Sequence, residues 1–230
     1  MISKKQSRTT ETDFISKIGK ILGNDRNTTP IPEKKKSIEI QTEQTIINKF
    51  IETAKKQNWS IHQAQSSNNV LTLIEKILIK TKAKNIVRTN EEIINKLDIS
   101  KYLESNNYKE TIIFNKKPLT SEKIKNFCSK ADIGISSADF AIAETGSIAI
   151  IPGSNKSKMV SLLPTTHIVI IPPKLIINKL EELFLKLPDI QKNSSINIIS
   201  GPSRTADIEQ TIVIGAHGPK EVHLIICNDY

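Results

Sequence analysis

Three short polar segments interrupt an otherwise apolar C-terminal half, and they hold most of the residues that could do chemistry. The first is Ala143-Glu144-Thr145-Gly146-Ser147, between apolar runs at Phe140–Ala143 and Ile148–Ile151. The second, Ser200-Gly201-Pro202-Ser203-Arg204-Thr205-Ala206-Asp207, follows the run ending at Ile199. The third is Gly215-Ala216-His217-Gly218-Pro219, before the last apolar run. A glycine turn, two hydroxyl residues and Arg204 at a helix start would cradle an anion, because backbone N–H groups and a guanidinium converge there. On this reading Glu144 and His217 handle a proton. Thr145, Gly146, Ser203, Arg204, Thr205, Asp207 and Gly218 hold a small anionic ligand.

Each segment also has a plainer reading. Glu144-Thr145-Gly146 suits a hairpin turn with Gly146 at positive φ and a solvated carboxylate. Ser200–Ser203 suits a strand-to-helix turn, with Ser203 or Thr205 as the helix cap and Asp207 in its first turn. His217 between two glycines can simply fill a loop. Only convergence of the three segments favours the ligand site. All three follow apolar runs, so a parallel sheet would bring their tips toward one edge.

Other chemistries lack their signatures. There is no GxxxxGK[ST] loop, no GxGxxG, no GxSxG elbow and no HExxH pair. The two cysteines, Cys128 and Cys227, are far apart and form no CxxC or Cys/His spacing, so no metal site is expected. His167 and His223 sit inside apolar strand patterns, as core or pocket-edge histidines do, and His62 lies in a polar stretch.

The elements that would position these segments read as an α/β chain. Helical spacing appears at Ile46, Ile47, Phe50, Ile51 and Ala54, and again at Val70, Leu71, Ile74, Ile77 and Leu78. Strands are expected at Asn85–Arg88 and Thr111–Phe114, with a helix near Glu91–Leu97 and another carrying Ile124, Phe127 and Cys128. Further short apolar runs lie at His167–Ile171, Ile196–Ile199, Ile212–Ile214 and Val222–Cys227. One amphipathic helix is expected from Leu175 to Leu187, with Leu180, Leu183 and Phe184 on its apolar face. Strands apolar on both faces and alternating with helices predict an open, mostly parallel sheet with helices on both faces. Such sheets bind ligands at the carboxyl ends of their strands.

The first 38 residues differ from this body. Phe14, Ile15, Ile18, Ile21 and Leu22 mark one short amphipathic helix, and a polar, proline-containing linker follows. The expected organisation is an N-terminal helical arm over 1–38 and an α/β domain over 39–230. The net charge of +9 is concentrated in the arm: residues 1–36 hold nine Lys/Arg against four Asp/Glu. The body has an ordinary surface, and aromatics make up 4 % of the chain, so nucleic-acid binding is not expected. With no membrane-length apolar run and a polar start, the chain reads as cytoplasmic.

The segments ADFAIAETGSIAI (138–150), SLLPTTHIVIIP (161–172) and ISGPSRTADIEQTIVIGAHGPKEVHLIIC (199–227) resemble the LUD-domain family, in its lactate utilization branch. The resemblance implies the α/β fold shared by sugar-phosphate isomerases and coenzyme A transferases. It implies a role in oxidising L-lactate to pyruvate beside iron–sulfur partner proteins, whose clusters would lie in those partners and not in this chain. In the related transferases a glutamate in a Glu-x-Gly context is the nucleophile, and Glu144-Thr145-Gly146 looks similar. The resemblance leaves the cofactor of this chain undefined. It also leaves open a non-catalytic assembly subunit, or a transferase or isomerase acting on an acyl-CoA or sugar phosphate.

Overall fold

A computed structural model describes residues 42–114, 119–153, 155–187, 195–206, 212–215 and 217–229. The arm's amphipathic helix and Asp207 lie outside them. The chain enters through α1 (Glu43–Lys56), β1 (Ser60–Ala64), α2 (Ser67–Thr81) and β2 (Asn85–Arg88). It continues through α3 (Glu92–Asn95), α4 (Ile99–Ser105), β3 (Lys109–Ile112), α5 (Ser121–Ser129) and β4 (Ile133–Ser137). A hairpin of β5 (Phe140–Ile142) and β6 (Ser147–Ile150) follows, then α6 (Met159–Leu162) and β7 (Thr166–Ile171). The last elements are β8 (Ile176–Ile177), α7 (Leu180–Lys186), β9 (Asn197–Ile199), β10 (Arg204–Ala206), β11 (Ile212–Ile214) and β12 (Glu221–Cys227).

Local chemistry explains several boundaries. Thr42, Ser66 and Thr120 each accept a backbone N–H from the third residue onward, capping α1, α2 and α5. Asp132 Oδ2 accepts from the N–H groups of Lys84 and Asn85, both at 2.8 Å, which ties the start of β4 to the start of β2.

Six strands form a wholly parallel sheet in the order β1-β12-β7-β4-β2-β3. Alternate residues of the central strands face opposite ways, as the two-residue strand period requires. Ile168, Ile170, Ile225, Ile133, Ile135 and Ile86 pack with Val70, Ile74, Ile94 and Leu103 of α2, α3 and α4. On the other face Val169, Ile171, Leu224 and Ile226 pack with Phe50 and Ala54 of α1, while Val87 meets α5 and α6. Each fully buried isoleucine contributes about 2 kcal/mol. The expected open parallel sheet, covered on both faces, is therefore the observed one.

A second sheet, β8-β5-β6-β9, lies beyond α1's face. Its inner side (Ala141, Ala143, Ile148, Ile150) packs on Phe50 and Ala54, and its outer side (Ile142, Ala149, Ile177) on Leu183 of α7. This arrangement corrects two expectations. The single helix from Leu175 to Leu187 is a 3-10 turn at Pro173–Leu175, then β8, with α7 starting only at Leu180. Ile176 and Ile177 pair with Ala141 and Ile142, so a β-branched pair serves as a sheet edge. Ser200–Ser203 leads not into a helix but into β10, paired antiparallel with β11, so Arg204 begins a strand.

The connections define one special crevice. After β2 the chain turns to α3 and α4 on one face and on to β3; after β4 it leaves by the other face and on to β7. Adjacent strands whose exits diverge in this way leave an opening between their carboxyl ends.

Candidate functional site

A cavity of about 880 Å³ opens at that crevice, lined by residues from the carboxyl side of β2, β4, β7 and β12. Glu91 follows β2, Ser137 ends β4, Asp139 joins β4 to β5, and Lys156 comes from the loop after β6. Lys156 Nζ lies 2.6 Å from Glu91 Oε1 and 3.0 Å from Asp139 Oδ2. Lys156 and Glu91 are only 6 % and 5 % exposed, whereas the Asp139 side chain is 30 % exposed and faces the opening.

The carboxylates are held by further donors. Glu91 Oε1 also accepts from Ser137 Oγ, and Oε2 accepts from Thr89 Oγ1 and from the N–H of Ser137 at 3.0 Å. Asp139 Oδ2 also accepts from the N–H of Ile151 at 2.7 Å, closing the open end of the β5–β6 hairpin. Burying charges costs several kcal/mol per ion unless they are paired and hydrogen-bonded, and here each is. The trio carries one ammonium against two carboxylates, so the floor of the cavity is net negative. Phe140, Ile151, Pro172 and Leu175 form an apolar wall, and Lys174 stands exposed at the rim.

Beside the cavity, buried Arg88 donates to Glu110, Asn95, Ser100 and the Thr89 carbonyl. Every one of these acceptors belongs to the protein, which fixes the turn that presents Glu91.

The three polar segments lie elsewhere, around the last turn of α1 and the amino ends of the strands. Gly146 has φ +65°, and a Cβ there would sit 2.5 Å from the Thr53 backbone. Gly201 has φ +98°, and its Cβ would sit 2.0 Å from the Gln57 carbonyl oxygen. Ser147 Oγ and Ser200 Oγ are 2.7 Å apart, joining the first two segments. The N–H of Ser203 donates to the Pro219 carbonyl and that of Gly215 to the Ser203 carbonyl, both at 2.9 Å, joining the second and third. The segments thus converge, but on a helix end.

Their polar side chains point to separate partners. Glu144, exposed on the β5–β6 turn, accepts the N–H of Leu180 at 3.0 Å at the start of α7. Arg204 Nη2 donates to the Gln57 carbonyl at 3.1 Å, the carbonyl end of α1. Thr145 Oγ1 is buried and finds no hydrogen-bond partner among the described residues. Exposed His217 borders a second cavity of about 390 Å³ with Leu162, Thr165, Gly218 and Lys220, where β7 and β12 begin. Among the described residues no hydrogen bond or ion pair links Glu144, Arg204 and His217 to one another. None of the three lines the larger cavity.

The core histidines are accounted for by the sheet. His167, fully buried in β7, shares a hydrogen bond with Ser136 Oγ at 2.9 Å, and burial pushes its pKa down to about 3. His62 Nε2 lies 3.1 Å from His223 Nδ1, with the rings stacked. Burial first, then the neighbouring His62, pushes His223 down to about 4. Burial likewise lowers His62. Cys128 and Cys227 are free, buried in cores on opposite faces of the sheet.

The four residues at the cavity floor went unseen in the sequence because they fall in three separate stretches, at 91, 137–139 and 156, none of which matches a catalytic or binding motif. The one available signal was position: Glu91 and Ser137 sit at the ends of apolar strands, where open α/β sheets bind ligands.

Residues 47–227 match the family described as LUD domain. Lactate utilization protein C of Halalkalibacterium halodurans is 28 % identical over 227 residues, covering 94 % of this chain and 96 % of that protein. Lactate utilization protein C of Anoxybacillus flavithermus is 26 % identical, covering 94 % of this chain and 98 % of that one. In fold, the chain is similar to the crystal structure of a DUF162 family protein from Deinococcus radiodurans. That match has a TM-score of 0.59 and 16 % identity, covering 82 % of this chain and 99 % of the other.

Proposed function

The chain belongs to the LUD domain family, and from that premise we propose that it serves lactate utilization, the role in which its relatives are named. It is a cytoplasmic subunit of a system that oxidises L-lactate to pyruvate, and iron–sulfur partner proteins carry the electrons. Two cysteines are too few to ligate a cluster. The subunit's part is to hold an organic ligand in the carboxyl-edge cavity with its anionic group toward the Lys174 rim, away from the net negative floor, and no redox step falls to this chain.

The supporting observation is Lys156, a buried ammonium held between Glu91 and Asp139 at the point where the exits of β2 and β4 diverge. A charge fixed there, beside a cavity, is pre-organised for recognition. Two of its three N–H donors are matched by the carboxylates, and the third has no acceptor among the described residues.

The test is growth on L-lactate of a strain lacking the protein, complemented with variants. Asp139→Asn is expected to fail while the soluble protein still accumulates, and Lys156→Met, which also loses stability, to fail with it. Glu144→Gln, Arg204→Ala and His217→Ala carry the competing site at the amino edge. Full growth with both cavity variants, and loss with the amino-edge variants, would move the ligand site to the polar segments.

A further inference from the structure

We infer that the ligand of the carboxyl-edge cavity is a nucleotide, bound with its ribose hydroxyls on Asp139 and Lys156 and its phosphate at Lys174. The inference rests on the reading above that this cavity is the ligand site. Four observations carry it.

The first is size. At about 880 Å³ the cavity is in the range of sites for cofactor-sized molecules. A three-carbon acid, with a volume on the order of 100 Å³, would leave most of it to water.

The second is the charge of the floor. Glu91 and Asp139 outnumber Lys156 by one negative charge, so a ligand carboxylate or phosphate placed there would meet repulsion. Neutral hydroxyl groups meet none. Asp139 Oδ1 accepts no hydrogen bond among the described residues, although Oδ2 accepts two. A vicinal diol matches this pair of vacant positions: one hydroxyl donates to Asp139 Oδ1 and an oxygen accepts the third N–H of Lys156.

The third is the wall. Phe140, Ile151 and Leu175 present apolar surface beside the polar floor, suited to a flat ring. A sugar phosphate would leave that wall wet.

The fourth is the rim. Lys174 follows β7 and stands in solvent, where a phosphate keeps part of its hydration while it pairs with the ammonium. The chain has no glycine-rich phosphate loop, so a rim side chain takes that role.

The experiment is isothermal titration of the full chain with ADP, GDP and UDP, with ribose 5-phosphate and L-lactate as comparison ligands. At least one nucleotide is expected to bind, and its 2′,3′-dideoxy analogue at least tenfold more weakly. Asp139→Asn should erase most of that tenfold preference. Lys174→Ala, on the exposed rim and therefore folded, should weaken the nucleotide about tenfold without altering the preference.

No binding by any of the three nucleotides at millimolar concentration overturns the inference. So does equal binding of the dideoxy analogue, or ribose 5-phosphate binding as tightly as the nucleotide. These failures separate from failure of the lactate reading. If Asp139→Asn abolishes growth on lactate and no nucleotide binds, the cavity reading stands and the nucleotide falls. If a nucleotide binds and Asp139→Asn grows normally, the nucleotide stands and the lactate role of the cavity falls.

Discussion

The carboxyl and amino edges of the parallel sheet use polar residues in opposite ways. At the carboxyl edge, charged groups are buried, paired and set beside a cavity large enough for a ligand. At the amino edge, glycines and hydroxyls let backbones approach closely, and the charged side chains reach outward to helix ends. The density of polar residues in the sequence marks the amino edge. Burial marks the carboxyl edge. A dense polar segment can therefore pack backbones closely, and charges isolated in the sequence can gather beside a cavity.

The largest expected effect lies at the carboxyl edge. Lys156→Met leaves the Glu91 carboxylate buried without its cation and should cost about 3–5 kcal/mol in urea unfolding. Adding Glu91→Gln should recover part of that loss. If the single variant unfolds like the wild type, the trio is not an electrostatic unit.

At the amino edge the sensitive positions are the glycines. Gly201→Ala forces a Cβ against the Gln57 carbonyl at a positive φ, and should cost about 2–4 kcal/mol. Gly146→Ala against Thr53 should behave alike. A neutral result at both would mean that the end of α1 is free to move away.

An effect of about the glycines' size, seen only on acidification, comes from the histidines between the two edges. His223 and His167 have pKa values pushed below the ordinary histidine range, so the unfolded chain binds protons that the folded chain does not. Stability is then complete above about pH 6.5 and falls as pH drops toward about 4. From pH 7 to 5 each should cost about 2 kcal/mol. Urea midpoints at the two pH values would show this, and His223→Gln should roughly halve the loss.

The smallest effects are expected at the exposed charges of the amino edge. Arg204→Ala and Glu144→Gln each remove one contact to a helix end and should cost less than about 1 kcal/mol, read as a shift in urea midpoint. A loss of several kcal/mol at either would show that these side chains are worth more than their solvent-exposed contacts suggest.

Much of the fold was legible because it follows from short-range rules. Asn85–Arg88 reads as a strand and is one, and the runs at 167–171 and 222–227 are buried on both faces as parallel strands must be. The Gly146 turn was legible too, since a two-sided apolar run broken by Glu-Thr-Gly suits a hairpin. The segment after Pro173 was misread because its leucines and isoleucines satisfy helical spacing while Ile176 and Ile177 also suit a strand. Pairing with Ala141 and Ile142 decided it. Likewise nothing near Arg204 announced that it would begin a strand paired with β11.

By itself, then, the sequence determined the alternation of strands and helices, the two-faced core and the tight turns, since each depends on residues a few positions apart. The tertiary structure alone decided which polar groups meet beside a cavity. Glu91, Ser137, Asp139 and Lys156 meet because strand order brings the ends of β2 and β4 together, and strand order is set by packing across the whole sheet. No local spacing encodes a contact between residues so far apart in the chain. Burial then makes that contact matter, because paired charges beside a cavity attract far more strongly when water is displaced.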